Sequence, residues 1–400
     1  MTSRIALFSS VAILAAAPVL GQSTHSWGER NTDFEPAMEN QFRAELLSSD
    51  VQVERTTVAG GLVHPWGIEV LPNDGGYLVT ERAGNLRHIA ADGTMSDPIS
   101  GLPEIAVAEQ GGLLDVALGP NFADDRMIYW TYAKPVDGNY ATAAGRGVLS
   151  EDLTEITDAE DIFVQSPAVD APMHFGSRIV FDGNGHAFVT TGEHFTQEYR
   201  VMAQDLDNHF GKVVRINLDG SIPEDNPFVG DDSAMDEIFS YGHRNIQGAW
   251  MMGDQLWTIE HGPKGGDELN LTEAGKNYGW PVISYGEQYS GDAIGTGISQ
   301  QDGMEQPVYF WDPVIAPAGM MVYEAEAFGD WNGDLFISSL YPGGIVRLEM
   351  EDGVVTGEER LAPDLGRVRD LAVDSDGSIL AVTDFEDGQL VRLAPANTDS

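Results

Sequence analysis

One hairpin recurs along this chain, and that repetition narrows the possible folds more than any other feature. An apolar strand runs into an Asp/Asn/Gly turn and back out as a second apolar strand at Ile68–Thr80 (IEVLPNDGGYLVT), Arg178–Thr190 (RIVFDGNGHAFVT) and Leu371–Thr383 (LAVDSDGSILAVT). Looser copies occupy 115–132, 249–259 and 322–338. Glycine beside Asn or Asp supplies the positive φ that a tight two-strand turn needs. Several copies are followed by a third, half-buried strand of alternating pattern, at Gly84–Ile89, Gly211–Ile216, Gly344–Leu348 and Gly388–Leu393. Six copies at spacings of roughly 45–70 residues match the blade period of propellers with inserted loops. The expected fold is therefore all-β, a six-bladed β-propeller with four-stranded antiparallel blades. A β-sandwich would reuse one hairpin far less often.

The ends of the chain read differently. Arg4 followed by the apolar, alanine-rich run Ile5–Leu20, with Val19 and Gly21 as small residues, has the form of an export signal cut before Gln22. That run is short for a membrane helix and contains Ser9, Ser10 and Pro18. The expected organisation is a signal peptide over 1–21, an irregular acidic leader over 22–55 and the propeller over 56–400. The chain has no cysteine, so a periplasmic or secreted product must be held by packing rather than disulfides.

Charge excludes whole classes of partner. Sixty-four acidic residues against 21 basic ones give a formal charge of −43. Phosphate backbones and anionic lipid surfaces both require basic patches, so nucleic-acid binding and membrane insertion or docking are not expected. The acidic excess itself reads as a solvated surface. Asp182-Gly-Asn184-Gly and Asp374-Ser-Asp376-Gly look like fragments of calcium loops but lack the downstream bidentate glutamate, so they read as turns. No role is assigned to the sequon at Asn270.

Propellers place their sites on loops at the mouth of the central channel. Dense polar stretches fall between the strands at Glu109–Gly112, His174–Arg178, Ser240–Asn245, Glu260–Glu268 and Arg367–Asp370. Four of the chain's 17 arginines lie in these stretches, beside glycines. In so acidic a chain that points to an anionic ligand, because the guanidinium fork reads carboxylates in bidentate fashion.

Taken in order, PWGIEVLP, GGLLDVALGPNF, HFGSRIVFDGNGHAFVTTGE, AQDLDNHFGKVVRIN, SYGHRNIQG, EHGPKGGDELNLTEAGKNYGWPVISYG and RVRDLAVDSDG resemble the soluble aldose sugar dehydrogenases that depend on pyrroloquinoline quinone (PQQ), relatives of soluble glucose dehydrogenase. The resemblance runs from about 60 to 395 and implies oxidation of an aldose at C1 to a lactone, with PQQ and Ca2+ as cofactors and an external electron acceptor. It implies that His174 is the base, beside Gln110, and that Arg244 and Asn245 lie over the quinone oxygens. Gly262 and Pro263 match the carbonyl pair that holds the cofactor's calcium, and Arg367 and Arg369 the pair that grips its carboxylates. Asp267, Glu268 and the carbonyl of Tyr278 match a second, structural calcium site. His194 stands where a glutamine is expected. After the strand ending at Leu340, itself a cofactor-contact position, Tyr341 replaces a lysine. Trp311 matches a stacking position. A monomer or a homodimer is compatible with all of this. Two other readings stay open on the residues alone: a calcium-dependent lactonase propeller, which needs carboxylates and amides converging on an axial metal, and a non-catalytic binding propeller.

Overall fold

The computed structural model describes residues 26–396; the expected export segment lies outside them. Six antiparallel sheets stand around one axis. Blade 1 is Pro65–Val70, Tyr77–Glu81 and Asn85–Ile89, a three-stranded sheet extended by a single bridge from Ile89 to Met95. Blade 2 is Leu113–Leu118, Met127–Val136, Asn139–Leu149 and Ile156–Val164. Blade 3 is Ile179–Phe181, His186–Thr190, Lys212–Asn217 and Ile238–Tyr241. Blade 4 is Ile246–Met252, Gln255–Glu260, Asp267–Thr272 and Tyr309–Trp311, and blade 5 is Pro317–Val322, Leu335–Ser339, Gly344–Glu351 and Val354–Leu361. Blade 6 is Val368–Val373, Ile379–Thr383 and Gly388–Pro395, completed by Val53–Leu62 from the other end of the chain. The first strand of each blade packs against the first strand of the next, and Val368–Val373 meets Pro65–Val70 to close the ring.

Apolar positions that alternate along the strands form cores between neighbouring blades. Blades 1 and 2 share Leu78, Leu86, Leu113, Trp130, Tyr132 and Ile156. Leu62, Ile68, Val79, Leu380, Val382 and Leu390 seal the junction of blades 6 and 1. Each such side chain contributes about 1.5–3 kcal/mol by leaving water.

The leader is no loose tail. Glu45–Leu46 adds a short parallel edge to blade 5, and the strand beginning at Val53 pairs along Gly388–Pro395. Buried Gln41 donates to the Pro307 carbonyl at 2.7 Å, and Phe42 stacks on Phe310 at 4.5 Å.

Polar groups fill the axis. The Arg178 guanidinium bonds Asp115 at 2.7 Å and Asp370 at 3.1 Å and lies 4.7 Å over the Trp66 ring. Four blades are thereby tied together inside the channel.

Candidate active site at the channel mouth

Topology decides which residues meet. Loops that precede a first strand carry Gln110, His174, Arg244, Asn245 and Arg367. Loops that follow a second strand carry Glu193, His261 to Pro263, Leu340 and Asp384. The second strand runs antiparallel to the first, so both loop sets emerge at the same end of the ring.

His174 is buried, with its backbone N–H donating to Gln110 Oε1 at 2.9 Å. Its Nδ1 lies 2.9 Å from Glu193 Oε2, which also accepts the Phe195 amide. Glu193 sits on a tight crossing: a Cβ at Gly192 would lie 2.0 Å from the His174 carbonyl oxygen, so only glycine lets the two loops touch. Burial pushes the His174 pKa down, Arg244 adds to that, and the Glu193 charge opposes it. Burial also works against the charge on Glu193, but His174 and Arg244 outweigh it and hold the carboxyl below its ordinary range. The pair is thus a neutral imidazole donating Nδ1–H to a carboxylate, with Nε2 left as a base.

Cations surround this dyad. Arg244 donates from its backbone to Glu260 at 2.6 Å and from Nη1 to the His261 carbonyl at 3.0 Å, and its guanidinium lies over Trp280. Asn245 accepts the Gly176 amide at 3.0 Å. Arg369 reaches Gln247 at 2.8 Å and Asp384 at 2.7 Å, while half-exposed Arg367 meets the same Asp384 oxygen at 2.8 Å. Asp384 also bonds His64, and although burial disfavours its charge, the arginines hold its pKa far below the usual range. Burial, then Arg244, His174 and Arg369, pushes His261 well below its ordinary value. Arg244 Nε, Arg369 Nε, His261 Nε2 and Glu193 Oε1 are buried without a hydrogen-bond partner among the described residues. Buried polar atoms rarely stay unpaired, so the two arginine donors fit an anionic, acceptor-rich ligand, whereas Glu193 Oε1 calls for a donor such as a hydroxyl.

The Gly262-Pro263 turn is held by Asp267, whose Oδ1 accepts the Gly262 amide at 2.8 Å and whose Oδ2 accepts the Ile315 and Ala316 amides at 2.7 Å each. A Cβ on Gly262 would lie 2.1 Å from the Gly266 carbonyl oxygen, which explains the glycine there. Beside the turn, Arg244, Glu260, Glu268, Tyr278 and Ser284 line a small cavity. Burial and the neighbouring Glu260 push the Glu268 carboxyl well above its ordinary value, as expected where two carboxylates share one buried site.

Asp267, expected among metal ligands, accepts backbone amides with both carboxylate oxygens and so also organises the carbonyl turn. His194 was expected to touch the cofactor, but it is fully buried, with Nδ1 2.8 Å from the Ala171 carbonyl and Nε2 2.8 Å from Gln165 Oε1. Its ring supports the wall behind His174, between Phe175 and Phe210. Leu340 is buried with its amide on Ala316, and the neighbouring Tyr341 is 67% exposed at the rim. The ring of buried Trp311 donates Nε1–H to Glu358 at 3.0 Å. Sequence reading passed over Glu193, His261, Gln247, Asp384 and Trp66. The motif TTGE193 did carry a signal, a lone carboxylate at the end of a strand beside the His174 loop.

Comparison with known proteins places these features. A family model described as glucose/sorbosone dehydrogenase matches residues 62–392. The aldose sugar dehydrogenase YliI of Escherichia coli K12 is 42% identical over 357 residues, 88% of this chain and 95% of that protein. The crystal structure of the soluble aldose sugar dehydrogenase from E. coli in the apo-form matches with a TM-score of 0.82 at 41% identity, over 86% of this chain and 100% of that one. The PQQ-bound aldose sugar dehydrogenase of Streptomyces coelicolor matches with a TM-score of 0.69 at 26% identity, over 87% and 99% of the two chains.

Proposed function

The chain belongs to the glucose/sorbosone dehydrogenase family, and from that premise we propose that it oxidises aldose sugars at C1 to lactones, with PQQ and Ca2+ held at the channel mouth. The observation that carries this reading is the His174–Glu193 dyad at a channel mouth that also holds the buried arginines Arg244 and Arg369, in a chain of charge −43.

His174 Nε2 takes the proton of the anomeric hydroxyl, and Glu193 holds the ring by Nδ1–H and offsets the charge that develops on it. When bound, PQQ supplies the two-electron acceptor for the hydride that leaves C1. The C1–O bond thereby becomes the lactone carbonyl. Arg244 and Asn245 would place donors at the quinone oxygens, and Arg367 and Arg369 would hold the cofactor's carboxylates. The carbonyls of Gly262 and Pro263 are hard oxygen donors suited to Ca2+, and Glu268 with the Tyr278 carbonyl would hold a second, structural ion. Gln110 fixes the His174 backbone. The reading includes an external electron acceptor, a quinone or redox protein. The apolar N-terminal run supports a periplasmic or secreted enzyme, and no helix among the described residues is long and apolar enough to cross a membrane.

The geometry favours this reading over a lactonase-type metal site, because Asp115 and Asp370 are already neutralised by the Arg178 guanidinium. Dye-linked oxidation of an aldose panel by the apoprotein, with and without PQQ plus calcium, tests the reading. Activity that requires both is expected. No turnover with any aldose, together with no PQQ binding by absorbance titration, would overturn it.

A further inference from the structure

Resting on the cofactor reading above, we propose that Asn31 and Thr32 of the leader are positioning residues that act through Asp312 to set the Gly262-Pro263 carbonyl pair. Asp312 is 3% exposed and opens the connection from blade 4 to blade 5. Its carboxylate accepts the Asn31 amide at 2.9 and 3.0 Å, Asn31 Nδ2 at 2.6 Å and the Thr32 amide at 2.9 Å. The Thr32 hydroxyl lies 3.1 Å from the same carboxylate and 2.9 Å from the Tyr285 carbonyl, and donates to one at a time. Arg43 closes the strap by donating to the Asp312 carbonyl at 3.1 Å and to the Gly28 carbonyl at 2.9 Å.

A buried carboxylate without donors is too costly to keep in place, so the leader fixes where Asp312 sits. Two routes lead from Asp312 to the carbonyl turn. Three and four residues on, the Ile315 and Ala316 amides bind Asp267, whose other oxygen binds the Gly262 amide. On the other side, Gly265 lies so close that a Cβ there would stand 2.8 Å from Asp312 Oδ1, and the Gly266 amide donates to the Trp311 carbonyl at 2.8 Å. The turn that offers the two carbonyls is held between Asp267 and Asp312, and Asp312 answers to the leader. Calcium accepts oxygen ligands only within a narrow distance range, so small displacements of this turn register in ion affinity.

The test is the double substitution N31A/T32V in the full mature chain, with T32S as the conservative control. Gln41 and Phe42 keep the leader anchored in both. Hydrogen exchange of the apoprotein reads the clamp without any cofactor: the amides of Gly262, Ile315 and Ala316 should exchange faster in the double variant while blade-core amides keep their protection. Titration of PQQ at stepped calcium should show half-saturating calcium raised about tenfold, with PQQ affinity restored at saturating calcium and T32S close to the parent. Unchanged exchange at those three amides, or acceleration spread evenly over the blades, would overturn the proposal. So would an unchanged calcium requirement in a parent protein that binds PQQ. If the parent binds no PQQ even with calcium, the cofactor reading fails, and the exchange result alone decides the clamp.

Discussion

At the scale of one residue, the reactive end of an imidazole is chosen by what its other end is bonded to. Glu193 commits His174 Nδ1 as a donor, so Nε2 is the basic nitrogen. Burial pushes the His174 pKa down from 6.5, and the base is active only when neutral. The acid limb of kcat/KM should therefore fall below pH 6.5, with activity lost as pH drops through the shifted value. His174→Ala should cut turnover about 10²–10⁴-fold while PQQ still binds, as measured by steady-state kinetics beside an absorbance titration. Glu193→Gln tests the partner. It removes the negative charge that raises the His174 pKa, so the acid limb should move lower still. Its amide can also donate to Nδ1 and shift the ring proton to Nε2, which should cost turnover by at least about a hundredfold. A pH–rate profile of the variant that overlays the parent in both limb and height would remove Glu193 from the mechanism.

At the scale of the element, the ring is closed by a strand from the far end of the chain. Val53–Leu62 completes blade 6, and Leu62 is fully buried among Ile68, Val79, Leu380 and Leu390. Leu62→Ala should destabilise by about 2–5 kcal/mol, whereas Val354→Ala, at a 40% exposed position, should change stability by no more than about 0.5 kcal/mol. Urea unfolding of both variants checks the contrast, and equal effects would show that this closure does not carry the ring. The same strand shows why part of the fold was legible and part was not. Ile68–Thr80 and Leu371–Thr383 announced their hairpins locally, because period-two apolar residues and a glycine turn are sequence-near signals. The pairing of residue 53 with residue 395 leaves no such local mark, and the leader was read as irregular through residue 55. In the site, His174, Arg244 and Arg369 were recognisable from motif and residue type. The directions of His194 and Asp267 were not, because Gln165 and the Ile315 amide, which take their bonds, come from other blades. Glu193 escaped notice for the same reason, since its role exists only once its loop crosses the one that carries His174.

At the scale of the whole molecule, the charge of −43 and the arginine-lined mouth pull in opposite directions. Several buried acids at the axis and rim have cationic partners, Asp115 and Asp370 with Arg178 and Asp384 with Arg367 and Arg369. The excess negative charge is consequently a surface property, and like charges on a compact surface repel one another. Salt screens that repulsion, with a Debye length that falls from about 30 Å at 0.01 M to about 3 Å at 1 M. The melting temperature of the apoprotein should rise across that range, the reverse of what favourable surface ion pairs would give. The same field repels an anionic cofactor at long range, whereas the arginines attract it only at contact. The association rate of PQQ should therefore also rise with salt, although its bound state is held by cations. Stopped-flow binding and thermal melts at stepped NaCl, with sucrose as an uncharged control, separate the two effects. If both quantities fell with salt, short-range pairs rather than net charge would govern this protein, and the acidic surface would need a different explanation.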